Sequence, residues 1–222
     1  MLTRFVLAAW LSLSLSSAHA QPVAPLSGEA PPVEAPKPAT VRVALQTRAG
    51  PIVLELEKER APITTANFLR YVDEKRLDGV AFYRAVKVGE RYGLVQGGVR
   101  NDPERALPPI AHEPTSETGL SHVDGAISMA RNEPGSASGD FFMTIGDLTS
   151  MDADPAKPGD NLGFAVFGRV VEGMDVVRQI LAAPTSPTEG EGAMKGQMLA
   201  DPVVITGARR VESAANERSG ME

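Results

Sequence analysis

Cysteine is absent from the 222-residue sequence. This absence excludes disulfide bonds, thiol nucleophiles and zinc sites with cysteine ligands, so the protein must be stabilised by packing. Basic residues are also scarce, because 22 Lys and Arg stand against 28 Asp and Glu. The resulting net charge of −6 favours solubility and disfavours nucleic acid as a partner, since phosphate-backbone binding needs a basic face.

Long apolar runs are also missing, apart from one near the N-terminus, residues 5–15. Arg4 precedes this run and Ala18-His19-Ala20 follows it, which is the pattern of a secretory signal peptide. The run is too short for a stable membrane anchor. We therefore expect a signal peptide over residues 1–20, cleavage after Ala20 and a periplasmic location, with secretion as the alternative.

Several catalytic motifs are missing as well. The segment "GSASG" has Ala137 where a serine hydrolase elbow needs serine, and "GEGAMKG" misses the dinucleotide fingerprint by one residue. His112 and His122 are ten residues apart, without the i, i+4 spacing of a helical zinc site. We expect both histidines to be loop or surface residues.

The sequence does contain many turn-forming residues, with 21 glycines and 18 prolines. They favour a mostly β architecture over a helical bundle. Residues 21–38 are rich in Pro and Ala without periodicity, which predicts a disordered spacer, and residues 213–222 are polar and aperiodic, which predicts a disordered tail. One folded domain is therefore expected over residues 39–212.

The patterns within this domain predict about eight strands and two helices. "TVRVALQT" and "GPIVLELE" alternate apolar and polar residues around a short turn, as in a β-hairpin. "APITTANFLRYVDEKRL" has helical spacing with Thr64 or Thr65 available as a cap, and "GMDVVRQILAA" predicts a second helix. The remaining short apolar runs have strand length, so a closed antiparallel barrel with helices over its ends fits the count.

The stretch "FYRAVKVGERYGLVQGG" sets Arg84 and Gln96 among apolar residues. An isolated arginine in a strand is usually an outward-facing surface residue. We expect Phe82, two positions earlier, to belong to the barrel core.

Six fragments in order resemble the cyclophilin-type peptidyl-prolyl cis-trans isomerases, most closely the exported bacterial kind. They are "APITTANFLRYV", "FYR", "QGG", "GAISMAR", "SASGDFFMTIGD" and "GFAVFGRVVEGMDVV". The resemblance implies a mainly β fold, a closed eight-stranded antiparallel barrel capped by two α-helices. It also implies an isomerase that acts without a cofactor, as a monomer, on proline-containing segments of unfolded or flexible proteins, and not on nucleic acid or membranes.

The resemblance assigns site residues by position. Arg84 corresponds to the catalytic arginine of the family and Gln96 to its groove glutamine. The substrate-binding residues implied in the same way are Leu94, Phe142, Met151 and Phe164 around the proline ring and Ala130 and Arg131 on the rim.

The chain departs from the family at several positions, and three of these departures concern the mouth and charge of the groove. Eleven residues separate Arg84 from Gln96, more than is usual, which predicts a charged bulge or short loop at the mouth of the groove. An aromatic residue beside the proline ring would fall at Gly93 or Tyr92. Asp140 places an acid near the groove, where it pairs with either Arg84 or Arg131. These departures leave open an alternative function, an exported peptide-binding module or chaperone with little or no isomerase activity.

Overall fold

The computed structural model describes residues 38–212. The predicted signal peptide, the spacer up to residue 37 and the tail over residues 213–222 lie outside the described residues, so these boundaries stay predictions. Within residues 38–212, no helix has the length and apolar character needed to cross a membrane.

Eight antiparallel strands form one closed barrel. The strands are β1 Val41–Thr47, β2 Gly50–Leu56, β3 Ala81–Gly89, β4 Tyr92–Gly98, β5 Ala126–Met129, β6 Asp140–Ile145, β7 Ala165–Glu172 and β8 Met198–Val211. Around the barrel they follow the order β1, β2, β7, β5, β6, β4, β3, β8. The predicted fold class is confirmed.

The first two strands show how the alternating pattern builds the barrel wall. Val43 and Leu45 of β1 pair with Leu54 and Ile52 of β2, and all four side chains are fully buried. Side chains two positions apart share one face of a strand, so the apolar set points into the barrel. The predicted hairpin is thus observed, with Arg48 and Ala49 in its turn.

Two long helices close opposite ends of the barrel. Helix α1, Pro62–Asp73, places Phe68 against Phe141 of β6 and Phe167 of β7, with ring centroids 5.4 and 5.2 Å apart. At the other end α3, Met174–Ala182, buries Val177, Ile180 and Leu181. Between them in the chain lies α2, Thr115–Thr118, a single turn that was not predicted.

The predicted cap of α1 is wrong. Thr64 and Thr65 are fully buried within the helix and make no side-chain cap. The carboxylate of Glu113 instead accepts hydrogen bonds from the backbone N–H groups of Ile63, at 3.0 Å, and Thr64, at 2.7 Å. A carboxylate from a distant loop therefore satisfies the first turn of the helix and complements its dipole.

Candidate active site

A β-bulge in β3 turns Arg84 to the outside of the barrel. The β3–β4 register passes from the pair Phe82–Gly97 directly to Arg84–Gln96, so Tyr83 is the extra residue. Strict alternation would put Phe82 and Arg84 on the same face. The bulge instead leaves Phe82 fully buried in the core, as predicted, while Tyr83 and Arg84 both line an outer groove.

Three nitrogens of the Arg84 guanidinium are held by amide oxygens. Nη1 donates to Oε1 of Gln96 at 2.7 Å, and Nε and Nη2 both donate to Oε1 of Gln197, at 2.9 and 2.6 Å. Burial lowers the pKa of Arg84. Since an arginine starts far above neutral pH, the group stays charged. The cation therefore has a fixed direction and no carboxylate partner among the described residues.

The outer groove has a volume of about 420 Å³ and lies across β3, β4 and β6. It brings together every residue that the sequence predicted for the site. These residues are Arg84, Leu94, Gln96, Ala130, Arg131, Phe142, Met151 and Phe164. Their individual roles stay predictions, but their common location is a property of the structure.

The apolar part of the groove is an aromatic corner. Phe142 and Phe164 meet edge to face, with ring centroids 5.4 Å apart. The backbone N–H of Phe164 donates to the carbonyl of Met151 at 3.0 Å. This hydrogen bond holds Met151, a further apolar residue of the groove, next to the aromatic corner. Such a surface suits a small apolar ring.

Asp140 pairs with neither arginine considered from the sequence, so both alternatives are wrong. Its carboxylate accepts hydrogen bonds from the Tyr83 hydroxyl and from the backbone N–H of Arg100, each at 3.0 Å. Arg131 instead pairs with Asp160 at 2.6 Å and donates from Nε to the carbonyl of Gly163 at 2.8 Å. The bulge explains this outcome, because it places the Tyr83 hydroxyl next to Asp140.

The model of the family "Cyclophilin type peptidyl-prolyl cis-trans isomerase/CLD" matches residues 42–209, most of the chain. The chain belongs to this family. It is 37% identical over 170 residues to the peptidyl-prolyl cis-trans isomerase cyp18 of Streptomyces antibioticus, covering 75% of this chain and 96% of the relative. It is 32% identical over 176 residues to peptidyl-prolyl cis-trans isomerase A of Dickeya dadantii, covering 78% and 86%.

The fold of this cyclophilin is also similar to that of a solved structure, the cyclophilin-type isomerase cgd2_1660 of Cryptosporidium parvum. The TM-score is 0.63 at 18% identity, over 79% of this chain and 99% of the other. A second structure of that protein, determined in the presence of the dipeptide Ala-Pro, gives a TM-score of 0.61 at 18% identity, over 78% and 99%. These structures share the fold, and the family model and the relatives identify the protein as a peptidyl-prolyl cis-trans isomerase of the cyclophilin type.

His122 supports the aromatic corner from behind. It lies in a loop, one of the two predicted alternatives, but it is buried and not at the surface. The side chain is fully buried, with its ring stacked on Phe142 at 5.7 Å. Nδ1 lies 2.5 Å from Oδ1 of Asp152, and Nε2 lies 3.0 Å from the Ser128 hydroxyl. Burial lowers the pKa of His122 although Asp152 acts in the opposite direction. The neutral imidazole therefore donates to Asp152 and accepts from Ser128.

The segment between Arg84 and Gln96 contains the predicted bulge and a short turn, but not at the groove mouth. The β3–β4 register skips Val88, the hairpin turns at Glu90 and Arg91, and none of these residues lines the groove. No groove aromatic comes from Gly93 or Tyr92, because the Tyr92 ring lies against Gly146. The predicted location of this segment at the groove mouth and the predicted groove aromatic are therefore wrong for the described residues, whereas the bulge itself is present.

Sequence reasoning missed several residues of the site. Gln197 has the most direct role, since it holds Arg84 from a position 113 residues away, although it does not itself line the groove. The missed residues that line the groove include Tyr83, Val86, Met194 and Met198. Tyr83 is next to Arg84 in the sequence, but alternation assigns neighbours to opposite faces, so only knowledge of the bulge could have identified it.

Proposed function

We propose that Arg84 catalyses prolyl isomerisation by stabilising the twisted amide. Rotation about an X-Pro bond faces a barrier of about 18–20 kcal/mol, because it breaks amide resonance. The twisted nitrogen regains a lone pair that can accept a hydrogen bond. A guanidinium aimed at this nitrogen binds the twisted form better than either planar isomer, and this difference lowers the barrier.

One observation carries the proposal. The Arg84 guanidinium is charged, held by Gln96 and Gln197, and lies in the same groove as the Phe142–Phe164 corner. A proline ring in that corner would bring its nitrogen close to a cation whose direction is already fixed, so little reorganisation is needed in the reaction. The reaction requires no nucleophile, metal or cofactor.

The substrates that fit this groove are proline-containing segments of unfolded or flexible proteins. The groove is open on the outside of the barrel, and the rim residues Ala130 and Arg131 line it beside the aromatic corner. An extended chain can therefore pass along the rim while its proline ring enters the corner. We infer that the protein acts as a monomer, since the groove needs no second chain.

The test compares wild type with Arg84→Ala and Arg84→Lys on a short Ala-Pro peptide. We expect Arg84→Ala to lose most of the catalysed rate with little loss of peptide affinity, and Arg84→Lys to recover only part of it, because a lysine lacks the planar fork. Equal rates for wild type and Arg84→Ala, with peptide binding retained, would favour the alternative function, a peptide-binding module.

We further propose that the protein is exported and assists the folding of exported proteins in the periplasm. The support is the signal pattern that ends at Ala20. Cell fractionation and N-terminal sequencing of the expressed full-length chain should give a periplasmic protein that begins at Gln21. Recovery from the medium would indicate secretion, and an uncleaved cytoplasmic product would contradict export.

A further inference from the structure

Two groove residues outside the proposed catalytic pair form a line of hydrogen bonds that ends at Arg84. The Gln96 Nε2 group lies 2.8 Å from the Tyr83 hydroxyl, and that hydroxyl lies 3.0 Å from Oδ1 of Asp140. Gln96 in turn contacts Nη1 of Arg84 through its other amide atom, Oε1. The line therefore runs Asp140, Tyr83, Gln96, Arg84.

The chemistry of Asp140 fixes the direction of every bond in this line. Oδ1 of Asp140 already accepts from the backbone N–H of Arg100, so any proton on this carboxyl lies on Oδ2, and the Tyr83 hydroxyl donates its proton to Oδ1. The Tyr83 oxygen is then left as an acceptor, and the amide NH2 of Gln96 donates to it. This arrangement turns Oε1 of Gln96 toward Arg84.

The opposite amide orientation would be unfavourable at both ends. The Gln96 NH2 group would meet the donor Nη1 of Arg84, and Oε1 would meet the Tyr83 oxygen, whose proton is already committed. Both Tyr83 and Gln96 are buried, with 6% and 7% of their surface exposed, so water cannot readily replace a lost partner.

The outer end of the line is itself anchored. Oδ1 of Asp140 also accepts from the backbone N–H of Arg100, and the Arg100 guanidinium lies over the Tyr83 ring, 5.0 Å from its centroid. The bulge at Tyr83 is what allows neighbouring residues 83 and 84 to face the same groove. Asp140 and Tyr83 are thus each fixed by a contact with Arg100, which lies outside the line.

We propose that Tyr83 and Asp140 are positioning residues for the isomerase reaction, which orient the Gln96 amide and through it the Arg84 guanidinium. The inference rests on the proposed catalytic role of Arg84. It assigns no contact between substrate and either positioning residue, so loss of the line should lower turnover without lowering peptide affinity.

The test is Tyr83→Phe in the full chain, which removes the hydroxyl and keeps the ring. We expect the catalysed rate at saturating Ala-Pro peptide to fall about tenfold, since the hydroxyl loses its hydrogen bonds to Asp140 and from Gln96, while the Kd for the peptide stays unchanged. Tyr92→Phe is the matched control, because it removes a tyrosine hydroxyl from the same hairpin outside the groove. It should retain the wild-type rate.

A double-mutant cycle tests whether Tyr83 acts through Gln96. If it does, Tyr83→Phe causes no further loss once Gln96→Leu is present. The same loss in both backgrounds, or a wild-type rate for Tyr83→Phe, overturns the inference. Failure of the proposed function is distinguishable, because Arg84→Ala would then keep the wild-type rate.

Wild-type protein alone provides a second measurement, which does not depend on any variant folding. The side-chain amide protons of Gln96 should exchange slowly with solvent and show a nuclear Overhauser effect to the Tyr83 ring. Fast exchange without this effect overturns the inference. In folded Tyr83→Phe protein the same amide protons should exchange faster.

Discussion

At the scale of single residues, the direction of Arg84 depends on an amide oxygen from the other end of the chain. Gln197 accepts from both Nε and Nη2, whereas Gln96 holds Nη1 alone. Removal of the Gln197 oxygen leaves two donors of a half-buried cation without their partner, and the guanidinium is then free to turn. A cation that points away from the groove cannot reach a prolyl nitrogen.

We predict that Gln197→Leu lowers the catalysed rate about tenfold, because the oxygen that accepts from both Nε and Nη2 of Arg84 is lost. The measurement is isomerisation of an Ala-Pro peptide, with circular dichroism to verify folding. Lys195→Ala is the matched control, since Lys195 is exposed in the same loop and does not line the groove. Equal rates for Gln197→Leu and wild type would show that Gln96 alone is sufficient.

The buried His122 should make the free energy of unfolding depend on pH. Its pKa is lowered in the folded protein, chiefly by burial, so the folded state binds fewer protons than the unfolded state, where the pKa is near 6.5. The free energy of unfolding should therefore decrease as the pH falls below about 6.5 toward the folded pKa. Urea unfolding at several pH values between 7.5 and 5 measures this slope.

The His122→Gln variant separates this contribution from the others. Burial raises the pKa of Asp140, which gives a slope of opposite sign, and Asp152 has a lowered pKa and loses its contribution only at lower pH. We expect the variant to be less stable at pH 7.5 and to show a smaller decrease on acidification. An identical pH dependence in both proteins would contradict the role given to His122.

At the scale of elements, the β3–β4 hairpin shows where sequence patterns succeed and where they fail. The apolar runs predicted both strands, and Phe82 was correctly placed in the core. The bulge at Tyr83 was not predicted, because a bulge changes pairing without a change in hydrophobicity. For the same reason the sequence identified Arg84 through resemblance to a family and missed Tyr83 beside it.

The end of the same hairpin depends on a glycine. Gly98 has φ of +136°, and a Cβ at this position would lie 2.6 Å from the Cα of Asp140 and also too close to the carbonyl of Gly139. We predict that Gly98→Ala destabilises the protein by about 3 kcal/mol, through backbone strain and overpacking. Thermal or urea unfolding measures the change.

Gly89 provides the matched control at the other end of the hairpin. A Cβ there would meet its nearest neighbour, the Cβ of Tyr92, at an ordinary 3.7 Å. We expect Gly89→Ala to change stability by less than about 0.5 kcal/mol, the range typical of surface substitutions. If the two alanine variants were equally stable, the backbone geometry assigned to Gly98 would be wrong.

At the scale of the whole molecule, the fold was predictable because each strand carries its own pattern. The contacts that complete the site were not, because closure of the barrel brings them together from distant segments. Glu113 reaches α1 across 50 residues and Asp152 reaches His122 across 30. Local periodicity does not encode such distant pairs. A single sequence, considered without an alignment of related sequences, therefore does not reveal them.

Closure of the barrel also raises the question of which forces hold it together. Exposed ion pairs connect β8 to its surroundings, for example Arg210 with Asp73, at 2.8 Å from Nε to Oδ1. Solvent screens such pairs, and they typically contribute less than about 1 kcal/mol. The fully buried Leu45 lies in β1, the strand that pairs with β8 to close the barrel. Its loss would leave a cavity.

We therefore predict that Leu45→Ala lowers the free energy of unfolding by about 3 kcal/mol, whereas Arg210→Ala lowers it by less than about 0.5 kcal/mol. Urea unfolding in low salt and in 0.5 M salt, a concentration chosen to screen exposed charges, distinguishes the two mechanisms. The small effect of Arg210→Ala should shrink further in salt, and that of Leu45→Ala should persist. A loss for Arg210→Ala as large as that for Leu45→Ala would mean that ion pairs close this barrel, and apolar packing would then be insufficient to explain its stability.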